Sequence, residues 1–251
     1  MAVVVPIVFG LEWTNNASPP GSGCPFNGIN EIKFVAGGVQ KAALELGHTQ
    51  RFAYANNNAF ASDYEHREVN ATGDSLNMID NVHLMYYVDH GATETGIGFT
   101  SNHFNCLAFY SNMRLGVQLL RWMVLDVCGA VSDNPNVGAS VLRTWSRPTD
   151  GDSARPLRAL HVLCAFIGLS YSGIDTGRGR EFVTAISRGQ AVGPAWLDAA
   201  FARSSGVANL PVIVAPGSSK ADAAARRDRD RLADRDAGPA PATHLAWNWR
   251  A

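Results

Sequence analysis

Nowhere does this chain of 251 residues approach the ~18 consecutive apolar residues that a membrane-spanning helix needs, which argues against such a span. Neither sign of charge dominates. Lys and Arg number 21 and Asp and Glu 22, and the formal net charge of −1 gives nucleic acid or an anionic membrane nothing global to attract. The opening MAVVVPIVFG has no basic residue, and its short β-branched run suits a buried first strand better than a secretory leader. A soluble, cytoplasmic protein is the expectation. Cysteine is scarce: Cys24, Cys106, Cys128 and Cys164 form no CxxC pair, which argues against a thioredoxin-type motif or a zinc ribbon. Without a leader their default state is the free thiol. What the chain does have is a globular composition, 46% apolar and 17% charged, and enough length for one sizeable α/β domain or a domain with an appendage.

Hydrophobic patterning predicts alternating strands and helices. Residues 3–11 read as a buried strand, 15–28 as an Asn/Ser/Pro/Gly loop, and 30–46 as a helix with Gly47 at its C-cap. Residues 51–80 are polar and Asn-rich and carry no clear period. Apolar strands follow at 82–88 (VHLMYYV), 122–127 (WMVLDV), 157–167 and 210–214, with a short one at 97–99. Helical patterns cover 137–145 and 179–204, the second with a break at Gly193-Pro194. This order implies a parallel-rich sheet covered on both faces, over residues 1–216. Residues 217–241 differ in kind, being rich in Ala, Arg, Asp and Pro, and the alternating charges favour a solvated helix or flexible tail. The closing HLAWNWR is apolar again and suits docking back onto the body.

Two strands are distinguished by what stands at their carboxyl ends. One runs into Asp89-His90-Gly91 and the other into Asp126-Val127-Cys128-Gly129. Ligands of open parallel sheets bind beyond the carboxyl ends of strands, so neighbouring strands of this kind would bring an imidazole and a thiol to one crevice. That is the minimum for acyl transfer, in which the thiol attacks a carbonyl and the imidazole handles the proton. Gly91, lacking Cβ, would let a carbonyl oxygen approach backbone N–H groups.

Apolar strand plus His-Gly, then apolar strand plus Asp-x-Cys, resembles the caspase-like clan of cysteine peptidases: caspases, metacaspases, legumains, clostripain and gingipains. Tyr86-Tyr87-Val88-Asp89-His90-Gly91-Ala92 is locally most similar to legumain. The resemblance lies in residues 82–130. It implies a three-layer α/β/α sandwich with a caspase-like, mostly parallel sheet. It also implies Cys128 as nucleophile, His90 as its acid/base partner and the Gly91 and Cys128 amides as oxyanion hole. The expected activity is cysteine endopeptidase, hydrolysing a peptide or protein substrate through a thioester, with no cofactor and no metal. Asp89 has a supporting role beside the site. Glu12 and Asp175, at strand ends, are candidate acids of a substrate pocket favouring a basic residue, and Ser170 is a candidate hydrogen-bonding group for substrate backbone.

Three rival readings stand beside this one, among them a different thiol or acid–base chemistry on a small molecule in the same crevice. The same dyad serves peptide ligases or cyclases of natural-product biosynthesis. Cys128-Gly129-Ala130 in place of the clan's Cys-x-Ser-Gly leaves open a non-catalytic module that binds a partner in the same cleft. Asp126 is expected to satisfy backbone donors. His161 and Cys164 read as core or edge residues of their strand, and Cys24 as incidental. His103 and Cys106 offer two metal-ligating side chains, short of a zinc set.

Overall fold

The computed structural model describes residues 4–16, 23–26, 28–103, 105–147, 155–171, 176–203, 209–238 and 242–251. Its main sheet is built from β1 (Val8–Trp13), β2 (Thr49–Ala55), β3 (Leu84–Val88), β7 (Trp122–Asp126), β8 (Val162–Ile167), β9 (Leu210–Gly217) and β10 (His244–Trp249). These seven strands lie in the order β10-β9-β8-β7-β3-β1-β2. The pairings from β2 through β8 are parallel, whereas β9 runs antiparallel to β8 and β10 antiparallel to β9. A second sheet of three strands, β4 (Gly91–Ala92), β5 (Gly96–His103) and β6 (Asn105–Phe109), leaves the main sheet just after β3.

Side chains alternate across the strands and so build a core on each face. Phe9, Leu11, Tyr86, Val124 and Cys164 pack against the helical layer of α1 (Ile32–Glu45), α3 (Arg178–Ser187) and α4 (Val192–Ala202). Met85, Tyr87, Met123, Leu125 and Leu163 pack on the opposite side, beneath Tyr64, Phe99, Tyr110 and Trp145. That second layer comprises the small sheet, short helical turns, and α2 (Val137–Val141) running into a single wide turn over Leu142–Ser146. The result is a three-layer α/β/α sandwich with a mostly parallel central sheet, covered on both faces as the unbroken apolar runs require.

The structure corrects several element boundaries. The first strand begins at Val8 rather than residue 3, and β8 at Val162 rather than residue 157. The edge strand β2 lies in a stretch whose polarity hid it: only Phe52 of its seven residues is buried. The 179–204 pattern is divided at Arg188–Ala191, not at Gly193-Pro194. Pro194 sits in the first turn of α4, where its missing N–H would have had no helical partner.

Residues 217–238 and 242–251 are built into the sandwich. Ser219 caps α5 (Lys220–Arg229) by accepting from the Asp222 N–H at 3.1 Å. Asp222 in the first turn and Arg226, Arg227 and Arg229 in the last oppose the helix dipole favourably. The Arg/Asp alternation is therefore a solvated helix face, while Ala223 packs closely on Gly217 of β9. Strand β10 closes that edge of the sheet, and Trp247 occupies the space left by the missing side chain of Gly138.

Candidate active site

The sheet register brings His90 and Cys128 to one rim. β3 and β7 are adjacent and parallel, with Leu84 opposite Trp122 and Val88 opposite Asp126. His90 and Cys128 each follow by the same two residues, so they leave the sheet from matched positions on paired strands that lie about 4.8 Å from each other. The two exits interlock. A Cβ on Gly91 would fall 1.9 Å from the Cys128 carbonyl oxygen, so only glycine permits this approach. Gly129 turns at φ +67°, and its carbonyl accepts from the Glu94 N–H at 2.8 Å. The glycine directly after the cysteine thus takes a left-handed turn, after which the chain rejoins β8 in parallel at Val131.

Cys128 is half-buried, and its sulfur lies against one residue of the loop after β8. The Ser170 N–H donates to Sγ at 3.3 Å, and the thiol faces the Ser170 carbonyl at 3.6 Å. Gly168, at φ +65°, shapes that loop; its carbonyl accepts from the Gly129 N–H at 2.5 Å. The Ser170 hydroxyl points the other way, donating to Asp126 Oδ1 at 3.2 Å and accepting from Arg178 Nη2 at 3.0 Å. Asp126 and Arg178 form a fully buried bidentate pair, with Nε donating to Oδ2 at 2.8 Å and Nη2 to Oδ1. Tyr86 Oη donates to the same carboxylate at 2.8 Å, Arg178 Nη1 donates to the Tyr171 carbonyl at 3.2 Å, and the guanidinium lies over the Phe166 ring. A buried charge cluster therefore anchors the segment that touches the nucleophile candidate. Opposite it stands the buried phenol of Tyr110, pushed well above its ordinary range by burial and then by the nearby Cys128.

The His90 side is fixed differently. The Gly98 N–H of β5 donates to the His90 carbonyl at 3.0 Å. The Phe26 ring stacks on the imidazole, with centroids 5.6 Å apart and an interplanar angle of 24°, and it fills the space over Gly98. A Cys24–Cys106 disulfide ties this loop to β6. The expectation of four free thiols is thus corrected: Cys128 and Cys164 are free, Cys24 is structural, and Cys106 is no longer available to a metal beside His103. The sequence interval of 82 residues between the paired cysteines left nothing to read.

The other expected site residues disperse. Asp89 follows Tyr87 in the strand alternation and is buried on the face away from Arg178, where it accepts from Tyr87 Oη at 3.4 Å. Burial holds its carboxyl well above the usual range. Asp89 therefore buttresses the strand end and does not line the cleft. Glu12 is fully buried as well, its carboxyl raised well above the usual range by burial and then by the neighbouring Asp63 charge. It is an interior acid, not an open pocket wall. Ser170 meets Cys128 through its backbone, and its hydroxyl is already committed to Asp126 and Arg178. Asp126 satisfies a guanidinium rather than backbone donors. Asp175 lies outside the described residues. His161 and Cys164 are buried as expected, with His161 Nδ1 2.8 Å from Asp230 Oδ2. Among the described residues no group of three or more His, Cys, Asp or Glu side chains is arranged to hold a metal ion. Sequence reasoning missed Arg178 and Phe26; each sits in an ordinary local context and acquires its role only through a partner far along the chain.

A family model described as a domain of unknown function, DUF6345, matches residues 11–251. The chain belongs to the DUF6345 family. That match begins within β1 and takes in both strand ends, the disulfide, the Asp126–Arg178 pair and the C-terminal strand. No curated protein matches the chain.

Proposed function

We propose that this DUF6345 protein is a caspase-like cysteine peptidase, hydrolysing peptide bonds with Cys128 as nucleophile and His90 as acid/base. The observation that carries the reading is the matched exit of His90 and Cys128 from adjacent parallel strands, locked by the Gly91 approach to the Cys128 carbonyl. Cys128 Sγ attacks the scissile carbonyl, and its proton passes to His90. The Gly91 and Cys128 amides are the candidate donors to the resulting oxyanion. Collapse expels the amine, which takes the proton from His90 and leaves a thioester; water activated by His90 then releases the acid. The Ser170 N–H, already directed at sulfur, offers a hydrogen bond to the negative charge Sγ carries as it attacks.

No helix among the described residues is long and apolar enough to cross a membrane. The Cys24–Cys106 bond favours an oxidising compartment over the cytoplasmic setting expected from the sequence.

The test is a diverse peptide library incubated with wild type, Cys128→Ala and His90→Ala, with products read by mass spectrometry. New termini made by wild type and by neither variant are the expected result. Joined or cyclised products would move the assignment to a ligase. Identical empty spectra from three folded proteins would refute catalysis on peptides and leave the cleft as a binding site.

A further inference from the structure

The disulfide and the imidazole meet through one ring. Cys24 bonds Cys106 of β6, and Phe26, two residues beyond Cys24, stacks on His90 with centroids 5.6 Å apart. Only Pro25 separates Cys24 from Phe26, and its ring fixes one backbone torsion of that link. Two residues span at most about 7 Å, so holding Cys24 keeps Phe26 within short reach of β6. The small sheet receives both. Gly98 of β5 pairs with Leu107, the residue after Cys106. A Cβ on Gly98 would lie 2.6 Å from the tip of the Phe26 ring, so the glycine opens the slot that the ring fills. The Gly98 N–H in turn holds the His90 carbonyl at 3.0 Å. Bond, ring and histidine therefore converge on one place in the small sheet. Cys106 is partly exposed, the setting in which a disulfide is open to thiol exchange.

We propose that Phe26 is a positioning residue for His90, and that the Cys24–Cys106 bond decides whether it is in place. This rests on the peptidase reading above. An imidazole at a strand end has its side-chain torsions to fix, and a ring laid on its face removes part of that freedom. His90 must present one nitrogen to the Cys128 proton, so lost orientation slows the chemical step rather than substrate binding. The bond is broken by thiol–disulfide exchange. A dithiol reductant gives up two electrons and two protons, closes its own disulfide and leaves Cys24 and Cys106 as thiols. The loop then has no covalent tie to β6, and packing alone must hold Phe26 on the imidazole. A small disulfide oxidant reverses the step, taking back the electrons and protons as Cys24 and Cys106 rejoin. Activity is thereby conditional on the oxidising surroundings in which the bond forms.

The first readout does not depend on turnover. It is the rate at which diethyl pyrocarbonate acylates His90, mapped by mass spectrometry against the exposed His244. The samples are wild type with the bond intact, wild type reduced by dithiothreitol and then freed of it, Phe26→Ala and Phe26→Tyr. Reduction and Phe26→Ala should each raise the His90 rate by about threefold to tenfold, the weight of one aromatic stacking contact, with His244 unchanged. Phe26→Tyr keeps a ring and should match wild type. Reoxidation with oxidised glutathione should restore the slow rate. Phe26 is partly exposed, so its loss should not unfold the chain; circular dichroism checks this for every sample. A His90 rate blind to Phe26→Ala overturns the positioning role, and one that answers Phe26→Ala but not reduction overturns control by the disulfide. Turnover is then measured on a peptide that wild type cleaves. Phe26→Ala and the reduced protein should lose about tenfold in kcat with KM near wild type, and Phe26→Tyr should keep full turnover. A change confined to KM refutes positioning. Cleavage of no peptide by any sample, with the His90 rates responding as expected, would sink the peptidase reading and leave the hold of the disulfide on His90 standing.

Discussion

Removing the Arg178 guanidinium should destabilise the fold and loosen the Cys128 environment together. Arg178 and Asp126 are fully buried, and Asp126 accepts from Nε and Nη2 of Arg178, from Tyr86 Oη and from Ser170 Oγ. Arg178→Met removes two of these four donors and leaves a buried carboxylate with two hydroxyls, an imbalance that costs about 3–5 kcal/mol. That is a large part of the ~5–15 kcal/mol a domain has in total. Asp126→Asn/Arg178→Met removes the stranded charge, and a well-packed apolar replacement of a buried pair is often near neutral. The double variant should therefore recover most of the loss, a coupling that the bidentate contact requires. Urea titration of the four proteins gives the stability cycle. The alkylation rate of Cys128 by iodoacetamide reports the site, because Arg178 also holds Ser170 Oγ and the Tyr171 carbonyl. Both Arg178 variants should change that rate relative to wild type, even where the double variant is stable again. A cost below about 1 kcal/mol for Arg178→Met, or a double variant no better than the single, would refute the reasoning.

Other consequences can be checked directly. Gly91→Ala places a methyl group 1.9 Å from the Cys128 carbonyl oxygen, so the two strand ends must part; peptide turnover should fall by more than about tenfold while far-UV dichroism stays near wild type, the penalty expected when reacting groups shift by about 1 Å. Cys24→Ser/Cys106→Ser opens a loop of 82 residues, and the chain-entropy model puts the loss near 4–5 kcal/mol; thermal melting measures it, and intact mass after alkylation under non-reducing conditions should show two modifiable thiols in denatured wild type and not four. Asp80 is buried, with a carboxyl raised by burial to about 7, although it accepts the Gly116 N–H at 2.9 Å. The unfolded chain gives up that proton near the ordinary value and the folded chain holds it to about 7, so the group contributes most at low pH and its contribution is lost as pH rises between those values. Relative to Asp80→Asn, wild type should lose up to about 4 kcal/mol of stability from pH 4 to pH 8; a flat difference in urea titrations would contradict the assigned cause.

Much of the architecture could be read without coordinates, because period and composition are local quantities. The unbroken apolar runs ending in Asp89-His90-Gly91 and Asp126-Val127-Cys128 required strands buried on both faces, and the alternation of strands with helical patterns required the sandwich. The same reading placed an imidazole and a thiol at strand ends. It failed where a residue's role depends on a partner far along the chain. The edge strand β2 left no clear period because only Phe52 of its seven residues is buried, too little apolar pattern to mark a strand. Asp126 and Arg178 are 52 residues apart and Cys24 and Cys106 are 82 apart, and neither pairing leaves a local trace. Glu12 and Asp89 are acids at strand ends in both descriptions, yet sheet alternation turns them into the interior and away from the cleft. What the sequence alone determined was the buried strands at the centre of the sheet and what they carry to the rim. Strand order, register and the closing of distant segments around Cys128 and His90 were decided only by tertiary packing, because they rest on contacts between residues that no local pattern connects.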